Sequence, residues 1–208
     1  QRRGYRIYYY ETKSLTFENG KVYSFCNEVI FYENRKKFYS VIRSKKIDLS
    51  KARFILMRQN PPFNMDYITA TFLLEKISKQ TQVVNDPSAV RNMPEKLHSI
   101  EFLKLMPATI FTSGIDAIDK FRKKHKKIVI KPTHGYGGKN ILFVDQRSKG
   151  RKILNYINQH DQVMVQRFLP GIKQGDKRIF IIGGVIKGAI RRIPKRGSII
   201  SNIGQGGM

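Results

Sequence analysis

Apolar and polar positions along the chain follow two different periods. Residues 5–10 are a β-prone run behind Gln1-Arg2-Arg3-Gly4, which reads as a helix end with a glycine cap. Leu15-Thr16-Phe17, Glu18-Asn19-Gly20 and residues 21–25 predict a hairpin on an Asn-Gly turn, whose two central positions need positive φ. Strand-like pieces follow at 29–32 and 38–43. Residues 54–57 and Val83-Val84 are short apolar runs, the pattern of strands covered on both faces. Between them, Arg58-Gln59-Asn60-Pro61-Pro62-Phe63 breaks regular structure, because neither proline can donate to a ladder. Residues 65–79 carry Ile68, Phe72, Leu73 and Ile77 near helical spacing. Asn85-Asp86-Pro87 starts a turn with Pro87 suited to a first helical position, and a second helix is expected over 94–105.

Pro107 marks a boundary. Beyond it the pattern predicts a strand (108–111), a helix (116–124), a strand (128–131), a glycine loop (135–138) and a strand (141–144). A helix (152–159) and a strand (163–167) follow, then a hairpin of residues 178–182 and 185–192 on Gly183-Gly184. A βα-alternating first half thus gives way to an α+β second half, with the junction at 91–107 and no internal repeat or low-complexity tract.

Composition changes the picture in one respect. A chain of 208 residues allows one large domain or two small ones, and 40% hydrophobic residues permit a packed core. Lys plus Arg number 40 against 15 Asp plus Glu, a formal charge of +25, which points to nucleic acid or another anionic partner. The basic runs Arg35-Lys36-Lys37, Lys45-Lys46 and 120–127 read more simply as solvated faces. Aromatic residues are not interleaved with them in a repeating way, so nucleic acid is the weaker expectation. Cys26 is the single cysteine, which excludes an internal disulfide and a thiolate metal cluster and fits a reducing, cytoplasmic compartment. No apolar run approaches the roughly 20 residues that span a bilayer, and no signal peptide is visible. The chain opens on Gln1 and closes on Gly206-Gly207-Met208, and both ends look cut.

Candidate chemistry centres on Lys131-Pro132-Thr133-His134-Gly135-Tyr136-Gly137-Gly138. Glycines let backbone N–H groups approach phosphate oxygens, and a lysine closing the preceding strand supplies a point charge. No Gly-Lys-Ser/Thr follows and the loop leads to a strand, so this is not a Walker A loop. An ordinary hairpin turn and a phosphate loop both fit the segment taken alone. Downstream, residues 163–167 run into Phe168-Leu169-Pro170-Gly171, an edge suited to an adenine. Gly175-Asp176-Lys177-Arg178 then offers an acceptor for ribose hydroxyls and a guanidinium for phosphate.

In this order these residues resemble the ATP-grasp superfamily, and within it the prokaryotic glutathione synthetases. The residues carrying the resemblance include Met57-Arg58, Pro61-Pro62-Phe63, Tyr67, Glu95-Lys96-Leu97, Lys131-Pro132, Gly137-Gly138, Gln166, Leu169-Pro170, Asp176-Lys177-Arg178 and Arg192-Ile193-Pro194. The resemblance runs over essentially the whole chain, and the Arg58–Phe63 element is its specific part. It implies an α/β fold: an N-terminal Rossmann-like (pre-ATP-grasp) substrate-binding domain over 1–92, followed by an incomplete ATP-grasp α+β domain over 93–208. It also implies an ATP-dependent ligase that joins γ-glutamylcysteine to glycine through an acyl phosphate. Other ATP-grasp carboxylate–amine ligases, and a non-catalytic basic module, remain as alternatives.

Roles follow from the same resemblance. Lys96 and Lys131 are expected on the ATP phosphates, with Gly135, Tyr136, Gly137 and Gly138 closing over them. Gln166, Phe168 and Leu169 are expected at the adenine and Asp176 at the ribose. Arg178 and Arg192 are the expected catalytic arginines, with Arg58 and Asn202 at the dipeptide. Ile200 and Met208 stand where the family usually has arginine, and His134 is given no role. After Asp161 the only acid is Asp176, so the ligands for Mg²⁺ are expected beyond the end of this chain, and the 208 residues alone are expected to be inactive. A homotetramer is the assembly that the resemblance implies.

Overall fold

The computed structural model describes residues 3–33 and 37–201. The chain divides into two compact units, Gln1–Pro94 and Glu95–Met208.

The first unit is built on a long strand, β3 (Lys21–Phe31), which pairs antiparallel with β1 (Ile7–Tyr9), β2 (Thr16–Glu18) and β4 (Tyr39–Asp48). Asn19 and Gly20 both have positive φ, 49° and 77°, as the Asn-Gly turn between β2 and β3 requires. The pieces expected at 21–25 and 29–32 are one strand, because a register shift between Glu28 and Val29 absorbs the break in alternation. Val22, Cys26, Leu49, Ile55, Leu74 and Ile77 form the core.

Glu28 lies opposite both Tyr8 of β1 and Arg43 of β4. Its Oε2 accepts from Arg43 Nε at 2.7 Å and from the Tyr8 hydroxyl at 3.2 Å, so one carboxylate ties three strands together.

A βαβ unit follows: β5 (Phe54–Leu56), α1 (Met65–Lys76) and β6 (Gln82–Val84), with β5 and β6 parallel. Asn64 caps α1 by accepting from Tyr67 N, and Asp86 caps α2 (Pro87–Asn92), which carries Pro87 in its first turn. The βα alternation expected of the first half is confined to this unit, since the strands before it form an antiparallel sheet. The two short strands also differ from expectation. Phe54 is 42% exposed and Leu56 61%, so β5 buries one face only, through Ile55. An apolar run does not state how many neighbours cover it. The helix-like end expected at residues 1–4 lies partly outside the described residues, and Gly4 has φ 78°.

In the second unit, β7 (Thr109–Thr112), β8 (Ile128–Pro132), β9 (Leu142–Val144) and β10 (Val163–Arg167) form an antiparallel sheet in the order β7-β10-β8-β9. Ile128, Ile130, Val163 and Val165 pack with Ile118 of α3 (Ile115–His125) and with Ile153 and Ile157 of α4 (Gly150–His160). Side chains alternate across a strand. Val129, Lys131 and Gln166 therefore sit on the other face of the sheet. A hairpin of β11 (Asp176–Ile182) and β12 (Val185–Arg192) turns on Gly183 and Gly184, both at positive φ. The helix expected over 94–105 is a 3₁₀ segment, His98–Leu105, kinked at Phe102. None of its residues is buried, and Leu105 is 85% exposed, so no packed face locks it into an α-helix.

The Arg43 hydrogen bond leads the contacts that hold the Glu28 carboxyl below its ordinary value of 4.5, with the Tyr8 hydroxyl adding to it. A depressed carboxyl favours the folded state above that ordinary value and loses the contribution as pH falls through the lowered one. Unfolding measured against pH is expected to show a steeper acid limb in the parent than in Glu28→Gln.

Candidate functional site

β8 and β10 carry the chemistry on the sheet face that the helices leave uncovered. Gln166 is 7% exposed and stands opposite Thr109 on one side and Val129 on the other. Its Oε1 accepts from Lys131 Nζ at 2.7 Å, and its Nε2 donates to Thr109 Oγ1 at 2.9 Å. Lys96, just ahead of the 3₁₀ segment, donates from Nζ to the Gly135 carbonyl. Burial pushes the ammonium groups of Lys96 and Lys131 below the usual lysine range. Lys96 depresses Lys131 further, and Glu95 partly offsets both shifts.

The loop after β8 is tied at both stems. Thr133 donates to the Gln162 carbonyl from Oγ1 at 2.8 Å and from its backbone N at 3.2 Å. The Tyr156 hydroxyl donates to the Asn140 carbonyl, and burial raises that phenol above its ordinary value. Between the stems, Gly137 and Gly138 have φ of 65° and 74°, a region that costs a residue with a Cβ.

After β10 the chain turns across the cavity's far wall. Phe168 N donates to Lys127 O at 3.0 Å, and the Phe168 ring meets Phe143 edge-on at 5.1 Å. The Leu169 carbonyl accepts from Ile172 N at the start of a 3₁₀ turn, Pro170–Gln174. Gly175, at φ 91°, then lets the backbone pass against the Arg192 carbonyl. Asp176 and Arg192 face each other in the β11–β12 register and make a two-pronged ion pair at 2.7 and 2.6 Å. That pair raises the Arg192 guanidinium further above its ordinary value.

These elements enclose a cavity of about 480 Å³. Lys96, Lys131, Gly135, Tyr136, Gly137 and Gly138 line it, as do Gln166, Phe168, Leu169, Asp176, Arg178 and Arg192. The structure thus brings together those of the nominated residues in this unit that it describes. Asn202 and Met208 lie outside the described residues. Ile200 is in the cavity wall, so the position at which the resemblance leads one to expect arginine carries an apolar side chain. Arg58 belongs to the first unit, where it lines a second cavity at the carboxyl end of β5 with Tyr8, Tyr10 and Gln59. Burial, with Cys26 close by, pushes the Tyr10 hydroxyl there up to about 12. Thr109 escaped the sequence reading, because the strand pairing that sets it beside Gln166 has no local signature; Glu95 carried part of the resemblance but was given no role.

The charge balance of the larger cavity decides what it can hold. Lys96, Lys131, Lys139, Arg167 and Arg178 line it, while the acids lining it are Glu95 and an Asp176 already committed to Arg192. Two partly dry lysines whose charge burial disfavours, beside a loop of glycine amides, suit a polyanion. Among the described residues no group of three or more His, Cys, Asp or Glu side chains is placed to hold a metal ion. The described residues therefore offer no carboxylate cluster of their own for Mg²⁺. Among the described residues no helix is long and apolar enough to cross a membrane.

Comparison with known proteins gives a consistent result. The family "Prokaryotic glutathione synthetase, N-terminal domain" matches residues 1–91, and "Prokaryotic glutathione synthetase, ATP-grasp domain" matches residues 95–208. The glutathione synthetase of Agrobacterium fabrum is 37% identical over 210 residues, covering 100% of this chain and 66% of that protein. That of Mesorhizobium japonicum is 38% identical, covering 100% and 67%. The chain thus spans about two thirds of the length of these relatives. Among solved structures, the D-cycloserine synthetase DcsG superposes with a TM-score of 0.55 at 17% identity, covering 71% of this chain and 54% of that one. The ATP-grasp ligase PsnB, complexed with a precursor peptide and AMPPNP, gives 0.53 at 17%, covering 91% and 64%. These likenesses show the ATP-grasp fold.

A Cβ on Gly175 would collide with the Arg192 carbonyl oxygen at a φ that side chains rarely adopt. Gly175→Ala is expected to lose about 1–3 kcal/mol in denaturant unfolding. Gly171→Ala, which meets open space, is expected to stay within about 0.5 kcal/mol of the parent.

Proposed function

The chain belongs to the prokaryotic glutathione synthetase family, and on that premise we propose that it serves the ATP-dependent joining of γ-glutamylcysteine to glycine. The products are glutathione, ADP and phosphate. The observation that carries this reading is the pair of partly buried lysines, Lys96 and Lys131, set against the glycine loop in one cavity.

In the proposed reaction a carboxylate oxygen of the dipeptide attacks the γ-phosphorus of ATP, and the bond to ADP breaks. The glycine amine then attacks the acyl carbon. The carbon–oxygen bond to phosphate breaks, and the amine proton is released. Lys96, Lys131 and the amides of 135–138 hold the phosphates and neutralise charge on the transferring group. Phe168 and Leu169 cover the adenine, with Gln166 behind them. Asp176 keeps lone pairs for the ribose hydroxyls while it holds Arg192, since an ionised carboxylate offers about four acceptor sites. Arg178 and Arg192 face the reacting phosphate and carboxylate. Arg58 takes the dipeptide, at the carboxyl end of a parallel strand where ligands bind in α/β folds. Asn202, which the family pattern places with the dipeptide, completes this assignment. Mg²⁺, a homotetramer and a cytoplasmic location remain part of the proposal through the family resemblance.

Lys131→Ala is expected to abolish ATP binding measured by nucleotide fluorescence or calorimetry. Unchanged affinity would remove the lysine from the phosphate site. In the full-length protein, ADP release should require both γ-glutamylcysteine and glycine. Release with other amine acceptors at equal rate would overturn the substrate assignment.

The depressed lysines also set a pH dependence. Bound phosphate raises an ammonium pKa, so affinity is full below the lowered free-state value and declines as pH rises through it. ATP affinity is expected to begin falling at a pH below the ordinary lysine range, with proton uptake on binding in that window.

A further inference from the structure

The side chain of Gln166 is placed by two neighbours, and only one of them touches the face where nucleotide would lie. Thr109 Oγ1 donates to the Pro107 carbonyl at 2.7 Å, and a carbonyl can only accept. A hydroxyl has one proton. With that proton committed, the lone pairs of Thr109 are what remains for Gln166, whose Nε2 donates to them at 2.9 Å. The other end of the amide, Oε1, must then face Lys131, and it accepts from Nζ at 2.7 Å. Every group in this chain keeps the donor or acceptor role that its neighbour needs. If the amide turned over, Nε2 would meet an ammonium, which has no lone pair, and both bonds would be lost.

We infer that Thr109 is a positioning residue for Lys131, acting through the Gln166 amide. Its hydroxyl reads a backbone carbonyl on one side and, by fixing the amide, aims the lysine ammonium on the other. The placement is geometric: Thr109 and Gln166 are direct partners across β7 and β10, and Gln166 and Lys131 share a sheet face across β10 and β8. The inference rests on the reading of Lys131 as a phosphate ligand. It adds a residue that meets no substrate.

Thr109→Val keeps the branched shape that a strand favours and removes the hydroxyl. Its consequence should appear only where a phosphate is present. Equilibrium binding of ADP and of adenosine is measured on the full chain for the parent, Thr109→Val, Thr109→Ser, Lys131→Ala and the double variant Thr109→Val/Lys131→Ala. An amide no longer held leaves the Lys131 ammonium unaimed, and losing about one charge-assisted contact to phosphate predicts about tenfold weaker ADP binding in Thr109→Val. Adenosine binding should stay within about twofold of the parent, and Thr109→Ser should restore ADP binding to within about twofold. Against the Lys131→Ala background, Thr109→Val should cause no further loss, because the group it positions is gone. Equal loss of adenosine and ADP would show a structural role and overturn the inference. So would unchanged ADP binding in Thr109→Val while Lys131→Ala loses it. If Lys131→Ala itself binds ADP like the parent, the phosphate reading of Lys131 falls, and the inference falls with it.

Discussion

A lysine ammonium held largely out of water is the constraint around which the second unit is arranged. Lys131 sits on a strand whose neighbours Ile128 and Ile130 are fully buried against two helices. Strand alternation turns Lys131 away from that core and into the cavity, but not into bulk solvent. Its charge survives there because Gln166 accepts from it and Glu95 lies close by, while Lys96 works against it. A phosphate chain would satisfy both lysines together. Burial and mutual repulsion both disfavour the two ammonium charges, and an anion between them would offset both effects.

The first unit uses the same economy of charge for a structural end. Glu28 is buried at the centre of an antiparallel sheet, with its partners on the two flanking strands. Removing one partner from such a cluster leaves a polar group that water no longer satisfies, so register and charge pairing hold each other in place. At the other end of the site unit, Asp176 and Arg192 pair across the open end of a hairpin. They are directly opposed in register and brought close by the glycine that precedes Asp176.

Much of this was legible in the sequence wherever a local rule applies. Asn19-Gly20 and Gly183-Gly184 specify tight turns, and the strands on either side follow from them. Asp86-Pro87 specifies a helix start. The order of lysine, glycine loop, apolar edge and Asp-Lys-Arg run pointed to the superfamily and the cavity's membership, and the Arg58–Phe63 element narrowed it to the family. What the sequence hid depends on partners far along the chain. The β3 bulge merged two expected strands, the exposed faces of β5 and β6 depend on which neighbours cover them, and the 3₁₀ segment lacks the burial an α-helix needs. The Thr109 contact was invisible because its partner, Gln166, lies 57 positions away.

The tied stems of the glycine loop have a thermodynamic consequence. Between Thr133 and Asn140 lie six residues, 134–139. Fixing a wholly free backbone takes about 1–2 kcal/mol per residue, so ordering six would take about 6–12 kcal/mol. That is comparable to the entire binding free energy of a micromolar ligand, about 8 kcal/mol. A loop disordered before a ligand arrived would cancel an affinity of that size. The hydrogen bonds Gly135 N to Pro132 O and Lys139 N to Tyr136 O, together with the Lys96 contact to Gly135, hold part of that order in advance. That part of the conformational entropy is lost on folding, so a ligand received by the loop would have less ordering to offset.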